Sequence, residues 1–285
     1  MALGGSGTSS DPYIVHSWSE LLEAFNGVSE NFIELANDIE APEEDVSVST
    51  TKVHTLDGKG YAINNLYHSG TDSAAIALAA PTSQQVERWI KNISFTNLYL
   101  TGGYAIDIDP NNGADIIRNV GFSGRVDNAA LMKVRYQYSP QINADVQRIA
   151  ANIETSTGDC KILVNQYSGA NDKNTIYYGN IRVKYLNCSP QTALTDWSWS
   201  NTLFDVNAEN ANTTVNLGNN INNCCVIGKG HGENGISYTT ASGKNIVENT
   251  LPVTTVAGVV YSLTTAQIKD AQYLHDTVGF PIGVD

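Results

Sequence analysis

Three four-residue stretches decide the fold: Ile63-Asn64-Asn65-Leu66, Ile90-Lys91-Asn92-Ile93 and Ile117-Arg118-Asn119-Val120. Each stretch reads apolar, variable, asparagine, apolar. Their asparagines are spaced by the same interval twice (92 − 65 = 27 and 119 − 92 = 27). A repeat of about 20–50 residues is typical of stacked architectures, in which each unit buries its apolar face against its neighbours. The sequence therefore predicts a stack of similar units.

The segments after the asparagines have the alternation of short strands. Ile93-Ser94-Phe95 and Val120-Gly121-Phe122 place apolar residues on one face and small residues on the other. In a parallel stack, equivalent residues lie ~4.8 Å apart, and asparagine tolerates the left-handed backbone of a turn. Stacked amides can then hydrogen-bond along the column. We predict an all-β fold, a right-handed parallel β-helix solenoid, with Asn65, Asn92 and Asn119 as its structural ladder.

A short amphipathic helix is predicted near each end of the chain. Ser17-Trp18-Ser19-Glu20 has the capping-box pattern, and Gly27 supplies the left-handed residue that ends the helix. Thr264-Thr265-Ala266-Gln267 has the same pattern, and Gly279 followed by Pro281 ends the second helix. Both helices are expected to cap the stack.

The two caps divide the chain into three parts. Residues 1–29 form an N-terminal arm and capping helix, residues 30–250 the parallel β-helix, and residues 251–285 a C-terminal strand and capping helix. A solenoid needs such ends because an open edge strand recruits other chains.

Charge and composition exclude several classes of partner. The formal net charge is −13 at pH 7, and no stripe of Lys and Arg offsets it, so we predict no nucleic-acid partner. No stretch approaches ~18 consecutive apolar residues, so we predict no membrane partner. The first seven residues lack the basic and apolar regions of a secretory signal. Cys160, Cys188, Cys224 and Cys225 show no C-x-x-C spacing and are interpreted as free thiols, the last two on opposite strand faces.

Residues 107–115 contain the candidate metal ligands Asp107, Asp109 and Asp115, because calcium prefers several hard oxygens on a flexible loop. An EF-hand would need a glutamate where the chain has Arg118. A solvated turn explains the same residues. Asp107 and Asp109 would share a strand face at ~6–7 Å, which also fits a pair of glycosidase carboxylates. We predict no metal and no cofactor, and we name no catalytic residue.

Trp197 and Trp199 alternate along Asp196-Trp197-Ser198-Trp199, so both indoles are expected on one face of a strand. Exposed, they would form a patch for sugar stacking or subunit docking, since aromatic residues are enriched at interfaces. Buried, they would fill the core. They are our candidate residues for binding a partner or a sugar.

The entry to the repeat consists of residues 7–15 (GTSSDPYIV), the first helix, residues 33–39 (IELANDI) and residues 56–63 (LDGKGYAI). In this order they resemble pectate-lyase-like right-handed parallel β-helix proteins, and the resemblance covers residues 7–125. It implies an N-terminal helix that caps the coil and an asparagine ladder along one turn. This superfamily includes lyases, hydrolases, phage tailspikes, and virion and adhesin proteins without enzymatic activity. The arginine segment Arg-x-Pro-x-x-Arg expected of a lyase is absent from the chain.

The resemblance and the missing secretory signal favour a non-enzymatic structural or attachment protein of a phage particle, such as a head fibre, decoration or tail protein. We expect it in the virion, as a homo-oligomer with a trimer favoured. Its expected partners are other virion proteins and a host-surface carbohydrate. Two alternatives stay open: a polysaccharide-degrading lyase or hydrolase (a depolymerase) on the same scaffold, and a bacterial surface adhesin. Clustered carboxylates in an acidic groove would favour the enzyme.

Overall fold

The computed structural model describes residues 3–79, 87–109, 115–134, 145–165, 175–188, 190, 192–209, 214–229, 235–253 and 258–279. In these residues the chain is mostly strand with only short helices, which confirms the prediction of an all-β fold. The helical segments are α1 (Trp18–Phe25), α2 (Thr265–Ile268), α3 (Ala271–Tyr273) and a π-helical turn (Leu274–Val278).

Most strands are short, and strands that pair lie about one repeat apart along the chain. In the first half they are β1 (Tyr13–Val15), β2 (Asn31–Leu35), β3 (Ile39–Glu40), β4 (Val48–Thr50), β5 (Val53–Asp57), β6 (Ala62–Asn64), β7 (Tyr67–His68), β8 (Ala74–Ala79), β9 (Arg88–Leu100), β10 (Tyr104–Asp109), β11 (Asp115–Val126) and β12 (Ala129–Val134). In the second half they are β13 (Asp145–Thr155), β14 (Cys160–Asn165), β15 (Thr175–Tyr177), β16 (Asn180–Tyr185), β17 (Ser198–Ser200), β18 (Leu203–Ala208), β19 (Val215–Asn216), β20 (Asn220–Asn222), β21 (Cys225–Lys229), β22 (Ile236–Ser237), β23 (Thr240–Ser242), β24 (Asn245–Glu248) and β25 (Val260–Leu263).

These strands form three parallel sheets. The largest has 18 strands, and one line of neighbours through it runs β9, β11, β13, β16, β18, β21, β24 and β25. A five-stranded sheet pairs β4, β8, β10, β12 and β14 in that order, and β19 pairs with β22. Parallel pairing follows because each strand joins a strand of a neighbouring repeat instead of turning back on itself.

The core lies on the side of the sheets where equivalent apolar residues stack. Register places Ile90 beside Ile117, and Phe95 beside Phe122, whose ring centroids lie 5.4 Å apart. Because neighbouring side chains alternate between the two faces, the intervening residues point outward. One continuous inner column consists of fully buried side chains: Ile90, Ile117, Val146, Ile176, Trp199 and Ile221.

Helix α1 packs against this core. Ser17 Oγ accepts a hydrogen bond from the backbone N–H of Glu20 at 3.3 Å, as predicted. The Glu20 carboxylate accepts from the backbone N–H of His16 at 2.7 Å, one residue before the expected partner. The residues of α1 buried in the main core are Leu21, Ala24 and Phe25.

Gly27 has a different role from the predicted one. The helix ends at Asn26 with φ −95°, and Gly27 is not left-handed. A Cβ on Gly27 would lie 2.7 Å from Cε2 of Tyr13. Glycine is therefore required here because β1 packs closely against the end of α1.

The C-terminal helical segment begins as predicted but is broken into short pieces. Thr264 Oγ1 accepts from the N–H of Gln267 at 3.2 Å, and Gln267 Oε1 accepts from the N–H of Thr264 at 2.9 Å, which completes the capping box. Asp270 then caps α3 by accepting from the N–H of Tyr273 at 3.0 Å. Gly279 ends the segment at φ 67°, and Pro281 lies outside the described residues.

This segment packs on the outer side of the last strands, and its predicted capping role stays a prediction. On β24, Val247 belongs to the main core, whereas its neighbour Ile246 belongs to a second, separate cluster. Cys224 and Cys225 divide between the two clusters in the same way, so the prediction of opposite faces is confirmed. The second cluster is formed by Ile246, Leu263, Leu274 and Val278, with Cys225, Tyr261, Ile268 and Tyr273 packed against it.

Candidate functional site

The predicted asparagine ladder is only partly formed. Asn119 Nδ2 donates to Asn92 Oδ1 at 3.0 Å, across the expected 27 residues. Asn65 belongs to a neighbouring column, because β6 pairs with the later part of β9 and places Asn65 beside Asn97, which donates to it. The equal interval between Asn65 and Asn92 therefore does not reflect the register. Asn65 Nδ2 donates instead to Glu40 Oε2 at 2.6 Å.

A column of left-handed residues marks the corner that contains Asn92. Its members have φ between 51° and 69°, and strand register stacks each upon the next. We call this set the left-handed column: Asn92, Asn119, Arg148, Tyr178, Asn201, Asn223 and Gly243. The shared feature is the backbone conformation rather than a continuous chain of amides.

The indoles of Trp197 and Trp199 are fully buried, so they form no exposed patch for a sugar or a subunit. Trp199 Nε1 donates to the carbonyl of Leu217 at 2.7 Å, and its ring meets Phe204 edge-on with centroids 5.1 Å apart. The other side of the same strand faces outward, because side chains alternate along β17. Ser198 lies on that side and is partly exposed.

Ser198 belongs to an uncharged surface that spans β15, β17, β20 and β23. Asn220 Nδ2 donates to Ser242 Oγ at 3.1 Å, and Thr240 Oγ1 donates to Asn220 Oδ1 at 2.8 Å. A shallow groove of about 340 Å³ runs across it, with Trp199 below. We call this surface the hydroxyl–amide face: Thr175, Ser198, Asn220, Asn222, Thr240 and Ser242, with Ser200 buried among them.

Two tyrosines border the hydroxyl–amide face. Tyr177 is 42% exposed and Tyr178 is 41% exposed, with ring centroids 6.5 Å apart. An exposed aromatic ring beside hydroxyl and amide groups offers one apolar surface together with several donors and acceptors. This combination suits a neutral polyhydroxylated ligand.

A second groove lies on the other side of the left-handed column. Its floor is the register-matched set Ser94, Gly121, Ala150 and Asn180, and Arg182 stands at one side. The groove measures about 280 Å³. A Cβ on Gly121 would lie 2.9 Å from Ser94 Oγ, so the small residues at this position are tightly packed.

Cross-strand ion pairs occupy the charged positions of the outer side. Each joins an acidic residue to Lys or Arg at or beside the neighbouring strand. Asp57 is buried, but the other pairs are at least partly exposed, and each of these stabilises the fold by only ~0–1 kcal/mol. The pairs are Lys59–Glu34 (3.4 Å), Lys91–Asp57 (3.3 Å), Arg118–Asp145, Arg182–Asp205 (2.8 Å) and Lys184–Glu154 (3.5 Å). These carboxylates are therefore engaged by cations.

Asp127 is a buried carboxylate at the corner before β12. Burial alone would raise its pKa, but the backbone N–H of Ser156 at 2.7 Å and the Arg125 guanidinium at 2.6 Å lower the pKa below its usual value. Asp127 is thus charged and joins two neighbouring repeats. Its role is structural.

The candidate metal ligands do not form a common site in the described residues. Asp107 is buried in β10 at 4% exposure, opposite Lys133 of β12, so it is not part of a solvated turn. Asp109 ends β10 and Asp115 begins β11, while residues 110–114 lie outside the described residues. Within the ranges described above, no three His, Cys, Asp or Glu residues are grouped as a metal ion would need.

The structure also reveals functional candidates that the sequence did not single out. Tyr177, Ser198 and Asn220 carry no motif in the sequence, and the tryptophan beside Ser198 on β17, which does stand out, points inward. The alternating pattern around Trp199 was the available signal, since it places serines opposite the indoles.

Comparison with known proteins adds no relative. No protein-family model matches the chain, and neither does any curated protein or any solved structure. None of the helices formed by the described residues has the length and apolar character needed to cross a membrane. The functional assignment therefore rests on the faces described above.

Proposed function

We propose that the chain is a right-handed parallel β-helix solenoid that serves as a structural and attachment protein of a phage particle. In this proposal it binds a neutral host-surface glycan on the hydroxyl–amide face. The observation that carries the assignment is the uncharged array of hydroxyls and amides on four parallel strands, bordered by exposed Tyr177 and Tyr178.

The chemistry of this face matches a neutral sugar. Sugar hydroxyls both donate and accept hydrogen bonds, and Ser, Thr and Asn side chains do the same. The face of a sugar ring that presents its C–H groups can pack on an exposed aromatic ring such as that of Tyr177. Anionic glycans are disfavoured, because a net charge of −13 repels them at long range.

The carboxylates of the outer side support a protein that binds a glycan without cleaving it. Glycoside hydrolysis by a carboxyl pair needs one protonated acid and one free carboxylate beside the same bond. Asp57, Asp145 and Asp205 are each engaged by Lys or Arg of a neighbouring strand. Placement in a phage particle rests on the family resemblance of residues 7–125.

A glycan array of neutral and acidic oligosaccharides tests this proposal. We expect the full chain to bind neutral glycans, and Tyr177→Ala and Asn222→Ala each to weaken binding about ten-fold, which corresponds to ~1.4 kcal/mol. The control Thr96→Ala alters an outward hydroxyl on β9, away from this face, and should bind like the unmodified chain.

Three outcomes would contradict the proposal. Binding that is unaffected by Tyr177→Ala and Asn222→Ala would place the ligand elsewhere. Absence of binding to every neutral glycan would remove the attachment role of this face. Mass spectrometry showing shortened oligosaccharides after incubation would favour the polysaccharide-degrading alternative.

A further inference from the structure

A serine, a histidine and an aspartate meet at the corner between β7 and β8, away from the hydroxyl–amide face. His68 Nδ1 lies 3.1 Å from Asp45 Oδ1, and His68 Nε2 lies 3.1 Å from Ser73 Oγ. The imidazole is 1% exposed, the Asp45 side chain is 44% exposed, and Ser73 is half-buried. No local sequence pattern indicates this grouping, because Asp45 precedes His68 by 23 residues.

The contacts of the imidazole favour a proton on Nδ1, because the shortest of them joins Nδ1 to a carbonyl oxygen. Nδ1 also lies 2.6 Å from the carbonyl oxygen of Val46, so Nδ1–H can donate to two acceptors that cannot donate in return. Nε2 then has a lone pair to accept from Ser73 Oγ–H. The carbonyl oxygen of Ser73, 3.0 Å from Nε2, would accept from the imidazolium formed when Nε2 takes up a proton.

Asp45 is itself held in place by a neighbouring serine. The hydroxyl of Ser69 donates to Asp45 Oδ2, and the backbone N–H of Ser69 donates to Oδ1 at 3.2 Å. These bonds, with the hydroxyl contributing most, lower the pKa of Asp45 below its usual value. The carboxylate is therefore charged and oriented toward the imidazole.

We propose that Ser73, His68 and Asp45 form a serine hydrolase site that cleaves small carboxylic esters, an activity beyond the proposed attachment function. A nucleophile within hydrogen-bond distance of a base, which a third group orients, is the arrangement that activates a serine hydroxyl. Ser73 is the catalytic nucleophile, His68 the general base, and Asp45 a positioning residue.

The reaction has two balanced steps. Ser73 Oγ bonds to the ester carbonyl carbon while its proton passes to His68 Nε2; the carbon–alkoxide bond then breaks, and the alkoxide leaves as the alcohol with that proton. Water next attacks the acyl-serine and gives a proton to His68. The acid leaves, and the proton returns to Ser73 Oγ.

The corner is accessible and can supply donors for the developing negative charge. Thr71 and Asp72 are exposed and precede Ser73 in the same turn. In the part of the chain that the structure describes, their backbone N–H groups donate to no protein acceptor. Such groups can hydrogen-bond the oxyanion of an acyl-transfer intermediate.

Two measurements on the full chain test the site. A fluorophosphonate probe, which forms a covalent phosphonate with activated serines and releases fluoride, should label Ser73 as located by peptide mass spectrometry. The chain should also hydrolyse p-nitrophenyl acetate above the buffer rate. Ser73→Ala should abolish both, and Asp45→Asn should slow both by about 100-fold, within the range typical of acid–base catalysis.

The control variant Ser10→Ala removes an exposed serine near the N-terminus, far in sequence from Ser73. It should react with both reagents like the unmodified protein. Thermal melting of each variant identifies any loss of fold, and Ser73→Ala is not expected to unfold the chain because Ser73 is half-buried. The proposal is overturned if the folded, unmodified chain is not labelled at Ser73. It is equally overturned if folded Asp45→Asn is labelled as fast as the unmodified chain, because Asp45 then has no role in activation.

Discussion

The left-handed column shows what one corner of the chain requires of each residue placed there. Left-handed backbone costs an ordinary L-residue ~1–2 kcal/mol, whereas glycine and asparagine adopt it readily. Asn or Gly occupies five of its seven positions, and only Arg148 and Tyr178 accept the strain. A search for asparagine therefore finds Asn92 and Asn119 but misses the two members with other side chains.

Asn92 allows the amide contacts and the backbone conformation to be separated. Its Nδ2 donates to Asp57 Oδ1 at 3.1 Å, and its Oδ1 accepts from Asn119. Asn92→Ala loses both bonds and introduces the left-handed strain that asparagine largely avoids, so we expect the free energy of unfolding to fall by ~2 kcal/mol. Asn92→Gly loses the same bonds without the strain. Its free energy of unfolding should therefore fall by only ~1 kcal/mol.

Urea denaturation of the two variants measures this difference. Asn152→Ala is the control, because Asn152 points outward on β13 without left-handed backbone and its replacement should change stability by less than ~0.5 kcal/mol. Equal losses for Asn92→Ala and Asn92→Gly would mean that backbone strain is unimportant at this corner.

At the scale of elements, the two terminal helices differ in what they pack against. Helix α1 contributes Leu21 and Phe25 to the main core, whereas the C-terminal segment rests on the separate cluster around Ile246. Loss of the C-terminal contacts should therefore release that segment locally, without unfolding the stacked strands.

Leu274→Ala tests this local release through the thiol of Cys225. Leu274 is 9% exposed in the second cluster, and burial raises the pKa of Cys225 to about 11, which keeps its thiol protonated and unreactive at neutral pH. Truncation weakens the docking, so we expect iodoacetamide to modify Cys225 at least about ten-fold faster. Cys224, fully buried in the main core, should stay unmodified.

His275→Ala is the matched control for this measurement. The His275 side chain is 68% exposed on the same segment and makes no contribution to the second cluster, so its loss should leave alkylation unchanged. If Cys225 is alkylated as slowly in Leu274→Ala as in the unmodified chain, the C-terminal segment is not held by this cluster. If Cys224 is modified as well, the release is not local.

At the scale of the whole molecule, the outer side carries charges that are paired across neighbouring strands. Pairs such as Arg182–Asp205 and Lys91–Asp57 bring opposite charges together on that side, although the net charge of the chain is −13. Such pairing lowers the charge density of a surface while the net charge of the whole molecule stays far from zero.

The assembly state follows from the proposed place in a phage particle. We expect native mass spectrometry to give three times the mass of the chain, and analytical ultracentrifugation at micromolar concentration to agree. Association should persist at high salt if apolar contacts hold it. A single chain at all concentrations would contradict the predicted trimer, and a single chain that also cleaves sugars would favour the enzyme alternative.

The amino-acid sequence alone determined the local features of this protein. The strand alternation around Phe95 and Phe122, the capping residues Ser17 and Thr264, and the left-handed asparagines depend on residues a few positions apart, so short-range physical rules suffice. These rules also led to an all-β chain of stacked parallel strands.

Only the tertiary structure decided which distant residues meet. Asn65 pairs with Asn97 instead of Asn92 because register depends on the length of every intervening turn, and those lengths vary along the chain. Register and turn lengths also decide on which side Trp199 is buried. They likewise bring Asp45 next to His68. Contacts between residues far apart in sequence follow from how the whole core closes, and no local pattern encodes that.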